Sequence, residues 1–90
     1  MKKEFIITDE TGLHARPASL IVNEMNKFAS DGTIKVDAKE ANIKSIMGIM
    51  GLMISKDQVI EVEITGADEE DAMDAVQAVI IDNNLGKVNN

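Results

Sequence analysis

The segment Val59-Ile60-Glu61-Val62-Glu63-Ile64-Thr65 alternates along its whole length. In an extended chain Ile60, Val62 and Ile64 fall on one side and Glu61 and Glu63 on the other. Such a strand belongs to a sheet with one dry face and one wet face, and the dry face has to be covered by other parts of the chain. With 90 residues there is material for one core and no more, so residues 1–90 are expected to form one domain.

The remaining segments supply further strands and the cover. Glu4-Phe5-Ile6-Ile7-Thr8 has the β-branched and aromatic density of a short strand, ended by the polar turn Asp9-Glu10-Thr11-Gly12. A helix is predicted shortly after His14. Pro17 suits its first turn, and Ala18, Ile21, Val22, Met25, Phe28 and Ala29 follow at helical spacing. Asp31-Gly32 interrupts that pattern, Ile34, Val36 and Ala38 alternate as in a half-buried strand, and Lys39-Glu40 is read as a tight turn into a short strand at Ala41-Asn42-Ile43-Lys44.

Ser45 then opens the apolar run Ile46-Met47-Gly48-Ile49-Met50-Gly51-Leu52-Met53, about two helical turns whose glycines require support from tertiary packing. After a turn at Lys56-Asp57 and the alternating strand, Asp68-Glu69-Glu70-Asp71 places four carboxylates at the positive end of a helix. That helix is expected to run to about Asn83, with Met73, Val76 and Ile80 as its buried stripe and Asn84 and Gly86 as stop signals. The acidic run reads as a solvated helix start, not a metal site. The order β-α-β-β-α-β-α predicts an α+β open-faced sandwich, a four-stranded mainly antiparallel sheet with three helices on one face.

Charge narrows the function. The formal net charge is −7, the wrong sign for following a phosphate backbone, which argues against direct nucleic-acid binding. Residues 1–45 hold 7 basic and 7 acidic side chains, and residues 46–90 hold 2 and 9, so anion-handling chemistry is expected in the first half. No cysteine is present, which removes disulfides, thiolate metal sites and cysteine nucleophiles. The longest uncharged apolar stretch, Ile46 to Ile54, falls far short of the roughly 20 residues a spanning helix needs, and the N-terminus lacks a signal-peptide core. A cytoplasmic protein without membrane insertion is the expectation.

The one histidine, His14, stands in Thr11-Gly12-Leu13-His14-Ala15-Arg16-Pro17-Ala18-Ser19, where a loop becomes a helix. A histidine there caps or packs more often than it reacts. It is also well placed to react: neutral imidazole is a nucleophile toward phosphorus, free N–H groups at a helix start stabilise added negative charge, and Arg16 offers a guanidinium to phosphate oxygens.

The full string Gly-Leu-His-Ala-Arg-Pro-Ala-Ser resembles the active-site motif of the HPr phosphocarriers of the bacterial phosphoenolpyruvate-dependent sugar phosphotransferase system. Lys44-Ser45-Ile46-Met47-Gly48 is similar to the regulatory serine segment of HPr from low-GC Gram-positive bacteria, and the likeness extends over about residues 2–86. The resemblance implies that His14 accepts a phosphoryl group from phospho-enzyme I on its delta nitrogen and passes it to sugar-specific enzyme IIA proteins during sugar uptake. It implies phosphate stabilisation by Arg16 and helix entry shaped by Pro17. It also implies modification of Ser45 by an ATP-dependent HPr kinase/phosphorylase, followed by binding to a catabolite-control repressor. From its residues alone Ser45 reads as a plain helix N-cap, and the two roles are compatible. Partner contacts are expected at Thr11, Ala15, Leu20, Ile46, Met47 and Met50. No cofactor or metal is implied, the carrier is expected to be a monomer, and it is a relay protein, not an enzyme.

Two positions depart from the family pattern: Gly51 stands where a serine is usual, and Met53 where glycine or another small residue is common. The first helix is also thinner in basic residues, with Asn26 where many members carry lysine. Two other readings compete. A regulatory paralogue working through Ser45 alone would not need His14, and a small-molecule-binding regulatory module of the ACT type would leave His14-Ala15-Arg16-Pro17 without a purpose.

Overall fold

The computed structural model describes residues 1–89. Its elements are β1 (Lys2–Ile7), α1 (Ala15–Met25), β2 (Asp31–Val36), β3 (Lys39–Asn42), α2 (Ile46–Gly51), β4 (Val59–Thr65), α3 (Glu69–Asp82) and β5 (Gly86–Val88). The strands form one antiparallel sheet in the order β3-β2-β4-β1-β5. The α+β class and the helix-covered open sheet are as expected from sequence.

The alternation in β4 sets the two faces. Ile60, Val62 and Ile64 are fully enclosed with Phe5 and Ile7 of β1 and Ile34 and Val36 of β2, and the helices contribute Ala18, Ile21, Met25, Ile49, Met73, Val76 and Ile80 to the same core. Each such large side chain contributes about 1.5–3 kcal/mol by leaving water. The opposite face is wet and charged. There the Lys35 ammonium sits 3.6 Å from the Glu63 carboxylate and 4.0 Å from those of Glu40 and Glu61, the last two directly opposite it on β3 and β4.

The structure corrects the four-strand expectation. The chain after α3 does not simply stop but folds back as a fifth strand, with Phe5, Ile6 and Ile7 opposite Val88, Lys87 and Gly86. Asn84 takes a left-handed backbone (φ 56°), Asn84 N–H donates to the Ile81 carbonyl and Leu85 N–H to that of Ile80. This double closure reverses the chain beyond the helix and buries Leu85. Asn84 therefore ends the helix as expected. Gly86 serves the sheet instead. A Cβ on it would run into the Ile6 carbonyl oxygen, so glycine permits the close approach of β5 to β1.

Other boundaries move by a few residues. α1 ends at Met25, before Phe28 and Ala29; Phe28 still packs against the core from the following turn. Asp31 and Gly32, which interrupt the helical spacing, already belong to β2. The β2–β3 turn falls at Asp37-Ala38, where Asp37 adopts φ 53°, so Lys39 and Glu40 belong to the strand. Asp68 is not left to solvent: its carboxylate accepts from the backbone N–H groups of Ala29 and Ser30, both at 2.9 Å, and from the Ser30 hydroxyl. These bonds hold its pKa below the ordinary aspartate value, the Ser30 hydroxyl contributing most, and tie the end of the α1–β2 connection to the start of α3.

Candidate functional site

The loop before α1 is held from both ends. The Asp9 carboxylate accepts from the Thr11 backbone N–H at 2.9 Å and from its hydroxyl at 2.7 Å. These two bonds, the hydroxyl's first, lower the Asp9 pKa. Gly12 N–H closes the turn on the Asp9 carbonyl, and Gly12 itself lies at φ 67° with its α-carbon against the Ile54 carbonyl, where no Cβ fits. Leu13 is buried and its N–H donates to that same carbonyl at 3.1 Å. The next residue is His14, placed where α1 starts and beside the segment that follows α2.

His14 is the N-cap of α1, with extended backbone (φ −82°, ψ −165°), and its exposed side chain makes no capping bond. The first intrahelical bond runs from Ala18 N–H to the His14 carbonyl, and Pro17 has no N–H, so Ala15 and Arg16 carry the open backbone donors of the first turn. Neither of those donors is bonded among the described residues, and the exposed Arg16 guanidinium forms no ion pair among them. An exposed imidazole thus stands next to two free N–H groups and one free guanidinium. That arrangement suits an anion brought to the ring.

Two concavities meet at His14. A pocket of about 80 Å³ is shared with Asp9, Arg16, Pro17, Leu20 and Asn83, and an open groove of about 350 Å³ runs past Thr11, Leu13, Met50, Met53 and Ile54. The structure thereby brings Thr11, His14, Arg16, Pro17, Leu20 and Met50 together around the ring. Ala15 is exposed at the helix start, Met47 is 78% exposed on α2 outside the groove, and Ile46 is half-buried against the core. A larger open concavity, about 580 Å³, lies on the outer sheet face against Asp31, Glu40 and Glu63, whose charge repels phosphate.

Ser45 is the N-cap of α2, its hydroxyl oxygen accepting from Gly48 N–H at 2.9 Å. The following run divides as its length requires: Ile49 and Leu52 are enclosed, while Met47, Met50 and Met53 stand in solvent. Met53 lies at φ 54°, a backbone state that explains a preference for glycine at this position, and Gly51 faces open space with room for a side chain. Asp9 and Asn83 are the site neighbours that sequence reading missed. The aspartate had a signal, since an Asp two residues before a Thr favours this turn; Asn83 reaches the site only through the fold.

Among the described residues no helix is long and apolar enough to cross a membrane, and no cluster of three or more His, Asp or Glu side chains is arranged to hold a metal ion. The family model for the HPr component phosphorylation site of the phosphotransferase system matches residues 1–82. The histidine-containing phosphocarrier protein of Mycoplasma superposes with a TM-score of 0.93 at 41% identity, covering 96% of this chain and 98% of that one. The phosphocarrier HPr of Bacillus anthracis gives 0.80 at 42% identity over 88% and 94% of the two chains. Crh, the Bacillus subtilis catabolite repression protein solved as a swapped dimer, gives 0.72 at 39% identity over 86% and 87%. The chain belongs to the HPr family of the phosphotransferase system, proteins that carry a phosphoryl group and do not turn over a substrate of their own.

Proposed function

We propose that His14 is the phosphoryl acceptor of this carrier. The delta nitrogen attacks phosphorus of phospho-enzyme I, the bond to the donor breaks, and the phosphoryl oxygens meet the Ala15 and Arg16 N–H groups and the Arg16 guanidinium. Transfer to an enzyme IIA protein is the same displacement run onward. The observation that carries this reading is an uncapped, exposed imidazole beside unpaired donors at a helix start. Pro17 shapes the first turn without adding a competing donor. Thr11, Ala15, Leu20, Ile46, Met47 and Met50 form the partner-facing rim.

Ser45 is the regulatory site, phosphorylated by an HPr kinase/phosphorylase for recognition by a catabolite-control repressor. Its position at the N-cap of the methionine-bearing helix supports this: a phosphate there adds about −1.5 to −2 charge next to the docking rim and opposes apolar contact with enzyme I. A regulatory role alone, suggested by the Crh likeness, is the weaker reading, because it leaves the arrangement around His14 unexplained. The carrier works in the cytoplasm, as one domain and as a monomer.

Incubation with phosphoenolpyruvate and enzyme I, followed by site mapping, tests the relay. One acid-labile, base-stable phosphate on His14 is expected, and label retained by His14→Ala would refute it. Incubation with ATP and the kinase should give an acid-stable ester on Ser45. Equal enzyme I transfer rates with and without that ester would remove the regulatory role and leave the relay intact.

A further inference from the structure

The methionines are divided in an unusual way. Met25 and Met73 are enclosed in the core, whereas Met47 and Met53 are 78% and 79% exposed and Met50 is 39% exposed. These three occupy positions i, i+3 and i+6 of one short segment, and Met50 and Met53 border the groove that His14 also borders. Elsewhere the exposed large apolar side chains are Met1, Val59 and Ile81, all away from this groove. The large apolar side chains exposed on the His14 side of the molecule are thus thioethers, the one kind of apolar side chain that a mild oxidant converts reversibly to a polar one.

We infer that Met47, Met50 and Met53 form an oxidant-responsive site that controls access of partners to His14. The step is a two-electron oxidation by a hydroperoxide. The thioether sulfur attacks one peroxide oxygen and the O–O bond breaks. Sulfur is oxidised to the sulfoxide, peroxide is reduced, and with hydrogen peroxide the other oxygen leaves as water. Each sulfoxide adds a strong acceptor to a surface that must be dried when a partner docks, so its desolvation opposes binding. A methionine sulfoxide reductase reverses the change, and the enclosed Met25 and Met73 keep the fold out of reach of the same oxidant. The site rests on the reading above, in which enzyme I docks on this rim to reach His14.

The experiment treats the carrier alone with hydrogen peroxide, removes the peroxide, maps oxidation by peptide mass spectrometry and then measures transfer from phosphoenolpyruvate and enzyme I. Met47 and Met53 should oxidise first and Met25 and Met73 last. The KM for the oxidised carrier should rise about tenfold with kcat little changed, a size set by burying one unpaired polar group. Treatment with methionine sulfoxide reductases and their reductant should restore it. The variant Met47→Leu/Met50→Leu/Met53→Leu retains Met1, and its treated and untreated rates should agree with each other. Uniform oxidation of all six methionines, an unchanged KM in the oxidised carrier, a fall in kcat alone, or a lost thermal transition would each overturn the inference. Failure of the untreated carrier to accept any phosphate would instead refute the relay.

Discussion

Two helix starts in this molecule differ in how their capping position is used. At α2 the capping position is filled, with the Ser45 hydroxyl oxygen bound to Gly48 N–H. At α1 the capping position holds His14, whose ring makes no hydrogen bond among the described residues, and the backbone donors beyond it stay open there. A filled cap contributes to holding a short helix that its glycines weaken. An empty one leaves stability to the packing of Ile21, Val22 and Met25 and keeps its donors for something from outside. The difference separates a structural terminus from a receptive one, and it can be tested from both sides.

The largest effect is expected from His14→Ala. Phosphate uptake from enzyme I should vanish, while urea denaturation should move by no more than about 0.5 kcal/mol, since the ring is exposed and makes no hydrogen bond among the described residues. A clear loss of stability would mean that the terminus is structural after all. Gly12→Ala comes next, because it demands an unfavourable φ and puts a Cβ against the Ile54 carbonyl. A loss of about 3 kcal/mol in urea denaturation is expected, together with slower transfer as His14 shifts. Arg16→Lys should preserve the melt and weaken transition-state stabilisation by about 2 kcal/mol, read as kcat/KM for transfer, as a point charge replaces a planar fork.

Ser45→Ala tests the filled terminus and should cost about 1 kcal/mol in urea denaturation without abolishing phosphorylation of His14. The smallest effect concerns a third helix start. The carboxylate of Asp68, at the N-cap of α3, makes no cap but reaches Ala29 and Ser30, and its pKa is lowered chiefly by the Ser30 hydroxyl. The folded state therefore binds this proton less readily than the unfolded chain. Its contribution is complete above the ordinary aspartate pKa of about 3.9 and is lost as pH falls through the lower folded value. Stability measured against pH should fall less steeply in that acid range for Asp68→Asn than for the unaltered protein.

Most of this architecture was legible because its signals are local. The two-residue period of β4 announced a sheet with one wet face, and the Gly12-to-Ser19 string announced a helix that starts just after His14. β5 was not legible, since Gly-Lys-Val has one apolar side chain and gains its strand character from pairing with β1 after the Asn84 reversal, a contact between the two ends of the sequence. The end of α1 escapes the sequence for a related reason. Phe28 keeps the helical spacing, but it packs from a turn, and Asp68, distant in sequence, fixes the Ala29 and Ser30 backbone. At the site, the division of the Ile46-to-Met53 run into enclosed and exposed members followed from helix length, whereas the neighbours Asp9 and Asn83 depended on tertiary approach.

The three residues of β5 also have a colloidal consequence. Without them, Phe5, Ile6 and Ile7 would present a bare apolar ribbon of backbone donors and acceptors, a template on which another chain can add a strand. At the opposite margin of the sheet, β3 is short and carries Lys39, Glu40 and Asn42. One margin thus ends in a strand of only three residues that carries Lys87, and the other is made unattractive by charge. Neither margin therefore offers a long apolar edge on which strand after strand could be added.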